Sequence, residues 1–329
     1  MPRDDSHIFR AKGNKTIIDT PPVAQVLKYH HLGLATMDLS ATTAFFGKLG
    51  FQPLDPPNSR ILRNPNGMQL HLLQADEAPT RPIKNDNGTE EEIFNILQDT
   101  PTEKYCGHTH AAFFVPSVAA ARKFVEDKHG IPVTGERKFQ GKVQSIFIRD
   151  LDKITWELER NVGDATTIEQ FDGTMLGDEH RRIDHVGTRV SDPPTSWKWY
   201  AEMLGFTQEV FHLEHNPQEP LKNFIPWISR TKETLIDINL LINANMPSSS
   251  TKNILMVDGV LKPGIIYVAF EVEDVKASQE ALKAAGAAVY SEDEVASLGL
   301  KKEKLPSVEG HSFFVADPDC NLYRLVQAA

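Results

Sequence analysis

Repetition is what most restricts the folds open to this chain. YHHLGLATMDLSATTAFFGKLGF (Tyr29–Phe51) and RIDHVGTRVSDPPTSWKWYAEMLGF (Arg182–Phe206) follow one plan. A repeated supersecondary unit must stack or pair with its copies, because one copy cannot bury its own apolar face. Each stretch opens on alternating apolar residues, the period of a strand, and runs on into a short helix. Ser191–Asp192–Pro193 predicts a helix start, and Gly50 and Gly205 suit left-handed C-caps at the Leu-Gly-Phe ends.

A looser pair joins them. HTHAAFFVPSVAAARKFVEDKHGIPV (His108–Val133) resembles IIYVAFEVEDVKASQEALKAAGAAV (Ile265–Val289), with Ser117 and Asp274 as caps and Gly130 and Gly286 as stops. Three turns, at Asn64–Gly67, Asp150–Lys153 and Asp317–Cys320, each lead into a closing strand. Seven residues on from the start of each turn stand His71, Glu157 and Arg324, and LIDINLLI would place Asn239 there in the remaining unit. The chain therefore reads as α+β, with four βαβββ units paired into two half-open barrel domains. The expected organisation is a loose N-terminal arm over 1–23, a domain of units one and two over 24–160, a polar linker over 161–180, and a domain of units three and four over 181–329.

The charge balance narrows the partners. Lys and Arg total 35 against 45 Asp and Glu, a net −10, with no long basic run, so nucleic acid is not an expected partner. The only cysteines, Cys106 and Cys320, cannot build a disulfide framework, which fits a reducing compartment such as the cytoplasm. Neither an apolar signal region nor a membrane span is expected. A homodimer is the default oligomer.

With the H-x-G strand openings at His31 and His185, the Leu-Gly-Phe helix ends and the recurring turns, the chain resembles the vicinal oxygen chelate superfamily. That group includes glyoxalase I, bleomycin-resistance proteins, fosfomycin-resistance enzymes and type I extradiol dioxygenases. The resemblance covers nearly the whole chain after residue 25. It implies a glyoxalase-like cup holding a divalent metal, with ligands from the first and closing strands of paired units. Carried onto this sequence, the first half offers His31, His71, His110 and Glu157; the second offers His185, Asn239, Tyr267 and Arg324. Arg324 keeps its proton and repels a metal. The metal is therefore expected in the N-terminal half, on His31, His110 and Glu157, with His71 either a fourth ligand or a substrate contact. His185 is expected to bind none.

Each residue has a plainer reading. His31 could be a polar strand start, His110 a hydrogen-bonded core histidine, and Glu157 a solvent-facing carboxylate; Glu159 is the alternative to Glu157, or a group behind it. Arg324, Tyr267 and Asn239 read as structural, although an inward Arg324 could receive an anion. Strand alternation puts His108 on the face of His110, which makes it a candidate acid or base. Two imidazoles and a carboxylate leave coordination positions open for a chelating substrate. Fe(II) is the favoured ion, with Mn, Ni, Co or Zn as others. The reaction expected first is extradiol-like dioxygenation of a small aromatic or enediol substrate. Dioxygenases of the superfamily carry a His and a Tyr near the strand leading to the Glu; Lys138–Ile148 has neither, so His108 or Tyr105 would have to substitute. The alternatives are a non-redox lyase or isomerase, and a protein that only sequesters a small molecule.

Overall fold

The computed structural model describes residues 8–9, 21–54, 59–78, 82–84, 90–92, 97, 106–139, 142–159, 183, 185–191, 193–213, 224–229, 237–242 and 253–328. A short strand, β1 (Ile8–Phe9), lies within the segment expected to be a loose arm. Unit one is β2 (Val26–Thr36), α1 (Leu39–Lys48), β3 (Gln52–Pro53), β4 (Ile61–Arg63) and β5 (Gln69–Gln74). A small hairpin, β6 (Pro82–Lys84) with β7 (Glu90–Glu92), lies in the polar connection that follows. Unit two is β8 (Gly107–Phe114), α2 (Val118–Lys123), β9 (Val133–Phe139), β10 (Lys142–Arg149) and β11 (Thr155–Glu159). Unit three is β12 (His185–Val190), α3 (Pro193–Leu204), β13 (Thr207–Leu213), β14 (Phe224–Ser229) and β15 (Asp237–Ile242). Unit four is β16 (Gly264–Val272), α4 (Val275–Ala284), β17 (Ala288–Tyr290), β18 (Ser312–Ala316) and β19 (Leu322–Gln327). The α+β class and the four βαβββ units are those the repeats predict. The linker expected over 161–180 lies outside the described residues.

Local chemistry accounts for the helix starts. Asp38, Ser117 and Asp274 each accept the backbone N–H three residues on, so the first helical turn has a side-chain partner. Ser191 does something else: its hydroxyl donates to Asp319 Oδ1 at 2.5 Å, in the turn of unit four. The matching turn of unit two does the same to unit one, where Thr36 donates to Asp152 Oδ2 at 2.5 Å.

The sheets depart from the expected pairing of units one with two and three with four. Inside each unit the first strand pairs in parallel with the closing strand, β2 with β5, β8 with β11, β12 with β15 and β16 with β19. The other edge of each first strand is filled from the opposite half of the chain. Strand β2 runs antiparallel to β16, and β8 antiparallel to β12. Units one and four thus share one group of paired strands and units two and three another, and the Ile265–His108 pairing of β16 with β8 joins them into one 17-stranded sheet. Within a half, the units meet through helices and turns instead. Phe46 of α1 meets Trp156 of β11 edge-on at 5.0 Å, and Trp156 stacks on Phe113 at 5.2 Å. Burying such rings stabilises by about 1.5–3 kcal/mol each. The physical reason for the departure is that alternation fixes which face of a strand turns inward, not whose strand fills its open edge.

Among the described residues no helix is long and apolar enough to cross a membrane.

Candidate metal centre

The β8–β12 register sets His110 opposite Gly187, and His185 opposite Ala112. A Cβ on Gly187 would lie 2.1 Å from His110 Cε1, so the glycine of the H-x-G opening is what lets this imidazole cross to its neighbour. In β11, Glu157 stands beside Ala112. Three side chains therefore converge from two units. His110 Nε2 and His185 Nε2 are 3.2 Å apart. Glu157 Oε2 lies 3.5 Å from the first and 3.2 Å from the second. Glu157 and His185 are buried and His110 nearly so.

The outer nitrogens decide what these rings present inward. The Thr109 hydroxyl donates to the Gly187 carbonyl at 3.1 Å, so its oxygen accepts from His110 Nδ1, 3.0 Å away. His185 Nδ1 faces Glu159 Oε2 at 3.4 Å, and a carboxylate there favours the proton on that nitrogen. Nε2 of each ring then faces the other ring and the Glu157 carboxylate. With its proton displaced each Nε2 offers a lone pair, and with Glu157 the two make the donor set of a three-ligand ion site. The donors thus fit a divalent metal on the chemistry of the site itself.

The electrostatics agree. Burial lowers the His110 pKa and favours its neutral, ligating form. Burial would raise the Glu157 carboxyl, but the Arg137 guanidinium, 3.2 Å from Oε1, and the two imidazoles hold it well below the usual range. Arg137 also pairs with Glu159, which accepts in addition from Gln144 at 3.1 Å. Glu159 is thus the group behind His185.

The structure parts the expected ligand set: His31 lies away from His110 and Glu157, and His185, expected to bind no metal, lies beside them. The cause is the sheet pairing: His31 belongs to the cup of units one and four. There the β2–β16 register puts Gly33 opposite Tyr267, and a Cβ on Gly33 would lie 2.2 Å from that ring. His31 and His71 stack at 3.5 Å. Arg324 stands on β19 beside Ala269, as Glu157 stands beside Ala112 on β11. The two cups are therefore equivalent in position and opposite in chemistry. In the second cup His31 Nε2, His71 Nδ1 and Tyr267 Oη are buried without a hydrogen bond among the described residues. Leaving such an atom unmatched costs about 1–3 kcal/mol. His71, like His31, lies outside the three-residue cluster.

His108, expected on the face of His110, lies elsewhere. A bulge at Thr109 breaks the alternation that would set it beside His110. Its Nδ1 meets Thr188 Oγ1 at 3.0 Å and its Nε2 the Leu322 carbonyl at 3.1 Å, and burial lowers its pKa to about 4. It lies where the two groups of strands join, at the β8–β16 contact, rather than serving the cluster. Tyr105 lies outside the described residues. Asn239 pairs in register with Gly187, on the closing strand of unit three.

Residues 28–158 and 182–322 match the family model described as Glyoxalase/Bleomycin resistance protein/Dioxygenase superfamily. A glyoxalase I variant from Zea mays is similar over 91% of this chain and 92% of its own, at 18% identity and a TM-score of 0.52. A provisionally assigned dioxygenase from Bacillus subtilis is similar over 92% of this chain and 85% of its own, at 10% identity and a TM-score of 0.51. At these identities both likenesses speak to the fold alone. No curated protein sequence matches the chain.

Proposed function

The chain belongs to the glyoxalase/bleomycin resistance protein/dioxygenase superfamily, and from that premise we propose that it is a metal-dependent enzyme whose ion is held by His110, Glu157 and His185. The observation that carries this reading is the convergence of the three donor atoms, with the outer nitrogens of both imidazoles already engaged. The finer proposal is an extradiol-like dioxygenase using Fe(II) on a small aromatic or enediol substrate.

A divalent ion there supplies Lewis acidity to two adjacent substrate oxygens and, as Fe(II), redox chemistry with dioxygen. The residues do the rest. Glu157 stays ionised against its burial and offsets part of the ion's charge. Glu159 and Thr109 fix the ring orientations of His185 and His110, so that Nε2 faces inward in each. Arg137 ties Glu157 to Glu159 and holds the carboxylate pair in place. Three protein ligands leave room for a bidentate substrate and one further molecule. In ring cleavage both atoms of dioxygen enter the product, so no external reductant is required.

The test is an oxygen electrode. Protein reloaded with Fe(II) under argon and mixed with catechol-type substrates in air should consume oxygen in step with ring-opened product. Turnover that runs equally well under nitrogen would replace the dioxygenase reading with a lyase or isomerase on the same ligands. Metal that is sub-stoichiometric and indifferent to His110→Ala would favour a protein that only binds.

A further inference from the structure

A file of buried polar side chains crosses from unit four through unit three to unit two. The Asp317 carboxyl, in the turn before β19, lies 2.5 Å from the Tyr200 hydroxyl on α3. Tyr200 Oη is 2.7 Å from Tyr323 Oη on β19, and the Tyr323 hydroxyl is hydrogen-bonded to Thr188 on β12. Thr188 Oγ1 meets His108 Nδ1 on β8 at 3.0 Å, and His108 Nε2 meets the Leu322 carbonyl at 3.1 Å. Asp317, Tyr200, Tyr323, Thr188 and His108 are all buried, and none belongs to the metal cluster.

The donors in this file follow one from another. A carbonyl can only accept, so His108 Nε2 carries the proton of the neutral ring and Nδ1 presents a lone pair. Thr188 then donates to Nδ1, and its oxygen accepts from Tyr323. A hydroxyl has one proton to give, so Tyr323 accepts in turn from Tyr200. That leaves the Tyr200 oxygen facing Asp317 Oδ2 and in need of a donor. Five contacts need five protons, and three hydroxyls with one neutral imidazole supply four. An ionised Asp317 would take the Tyr200 proton and leave two bare oxygens opposed further along.

The carboxyl is built to carry the fifth proton. Its Oδ1 accepts the backbone N–H groups of Asp319 and Asn321, at 2.9 and 2.8 Å, as the carbonyl oxygen of an acid would. Its Oδ2 meets Tyr200 and the Asn321 amide. Burial pushes the Asp317 carboxyl up to about 6, and the Asp319 carboxylate beside it adds to the rise. The Cys106 and Cys320 thiols also face it, both raised by burial, and Arg189 acts on Cys106.

We propose that Asp317 is a protonated carboxyl that donates to Tyr200, so that its proton completes a buried hydrogen-bond chain through Tyr323 and Thr188 to His108, and that losing this proton opens a latch between units two, three and four. The latch is independent of any bound ion. A carboxyl raised in the folded state stabilises that state fully below its unfolded value, and the contribution is lost as pH rises through the folded value.

Infrared spectroscopy of the full chain reads the proton directly, because a protonated carboxyl has a carbonyl stretch that a carboxylate lacks. The difference between wild type and Asp317→Asn at mildly acid pH should contain one such band, fading as pH passes about 6. Asparagine keeps a carbonyl oxygen and a donor in the shape of the acid. The fall in urea midpoint between about pH 4 and about pH 6 should therefore shrink in this variant by the share of about one proton. Thr188→Val removes a hydroxyl three side chains away and lets both tyrosines turn their protons toward Asp317. Its band should fade at lower pH than that of wild type, a shift that mere packing of Thr188 would not cause. If Asp317→Asn does not fold, Tyr323→Phe supplies the difference spectrum, since it too frees the Tyr200 proton for the carboxylate. Absence of the band in wild type overturns the proposal. So does an undiminished pH slope in Asp317→Asn, or a band that fades at the same pH in wild type as in Thr188→Val or Tyr323→Phe.

Discussion

A neutral imidazole has one lone pair and one N–H, and the partner of its outer nitrogen decides which of them faces inward. That rule separates the histidines of this protein. His110 and His185 turn Nε2 toward Glu157, whereas His108 has both nitrogens engaged by Thr188 and Leu322. Replacing any one of His110, Glu157 or His185 by Ala should therefore abolish bound metal, and His31→Ala should leave it in place; elemental analysis per chain compares the four. Glu159→Gln keeps the shape but loses the charge behind His185, so metal affinity should drop about 10–100-fold with the fold intact, read by competition with a chromogenic chelator. His110 and Glu157 stand out in the sequence because they fall on the first and closing strands of one unit. His185 is not, because its own unit offers only an amide at the closing strand, and its true companions lie in another unit.

At the scale of single elements, the first strand of each unit does most of the positioning. The second residue after His31 and after His185 is a glycine in both cases, and in each cup that glycine leaves space for a ring from the strand alongside. Gly187→Ala should push His110 off its position and remove the metal. Gly33→Ala should push on Tyr267 instead, keep the metal, and cost about 1–3 kcal/mol of stability, seen as a lower urea midpoint. Equal metal loss in both variants would contradict this assignment. The H-x-G pattern, the caps at Ser117 and Asp274 and the closing strands are all visible in the sequence, since they follow from local conformational preference. The bulge at Thr109 is not. A one-residue slip costs nothing that composition can reveal, yet it turns His108 from a neighbour of His110 into a strut between the two groups of strands.

Over the whole molecule the four units close a ring. Units one and four share one group of paired strands and two and three another, while turn-to-strand clasps join one to two through Thr36 and Asp152, and three to four through Ser191 and Asp319. Metal binding should then slow hydrogen exchange in β8, β11 and β12 and leave β2, β5 and β16 unchanged. Protection of β2 in place of β12 would restore a centre built from units one and two. The sequence by itself determined the class, the number of repeats, the order of strands and helix in each, and two residues of unit two that lie in the candidate site. These are consequences of periodicity, turn chemistry and capping, all of which act over a few residues. Only the tertiary structure decided which unit completes which group of strands, and with that decision came His185 as the third donor and the separation of His31 and His71 into a cup of their own. The open edge of a strand accepts any strand of matching face, so the choice rests on how helices, turns and connections pack between distant parts of the chain.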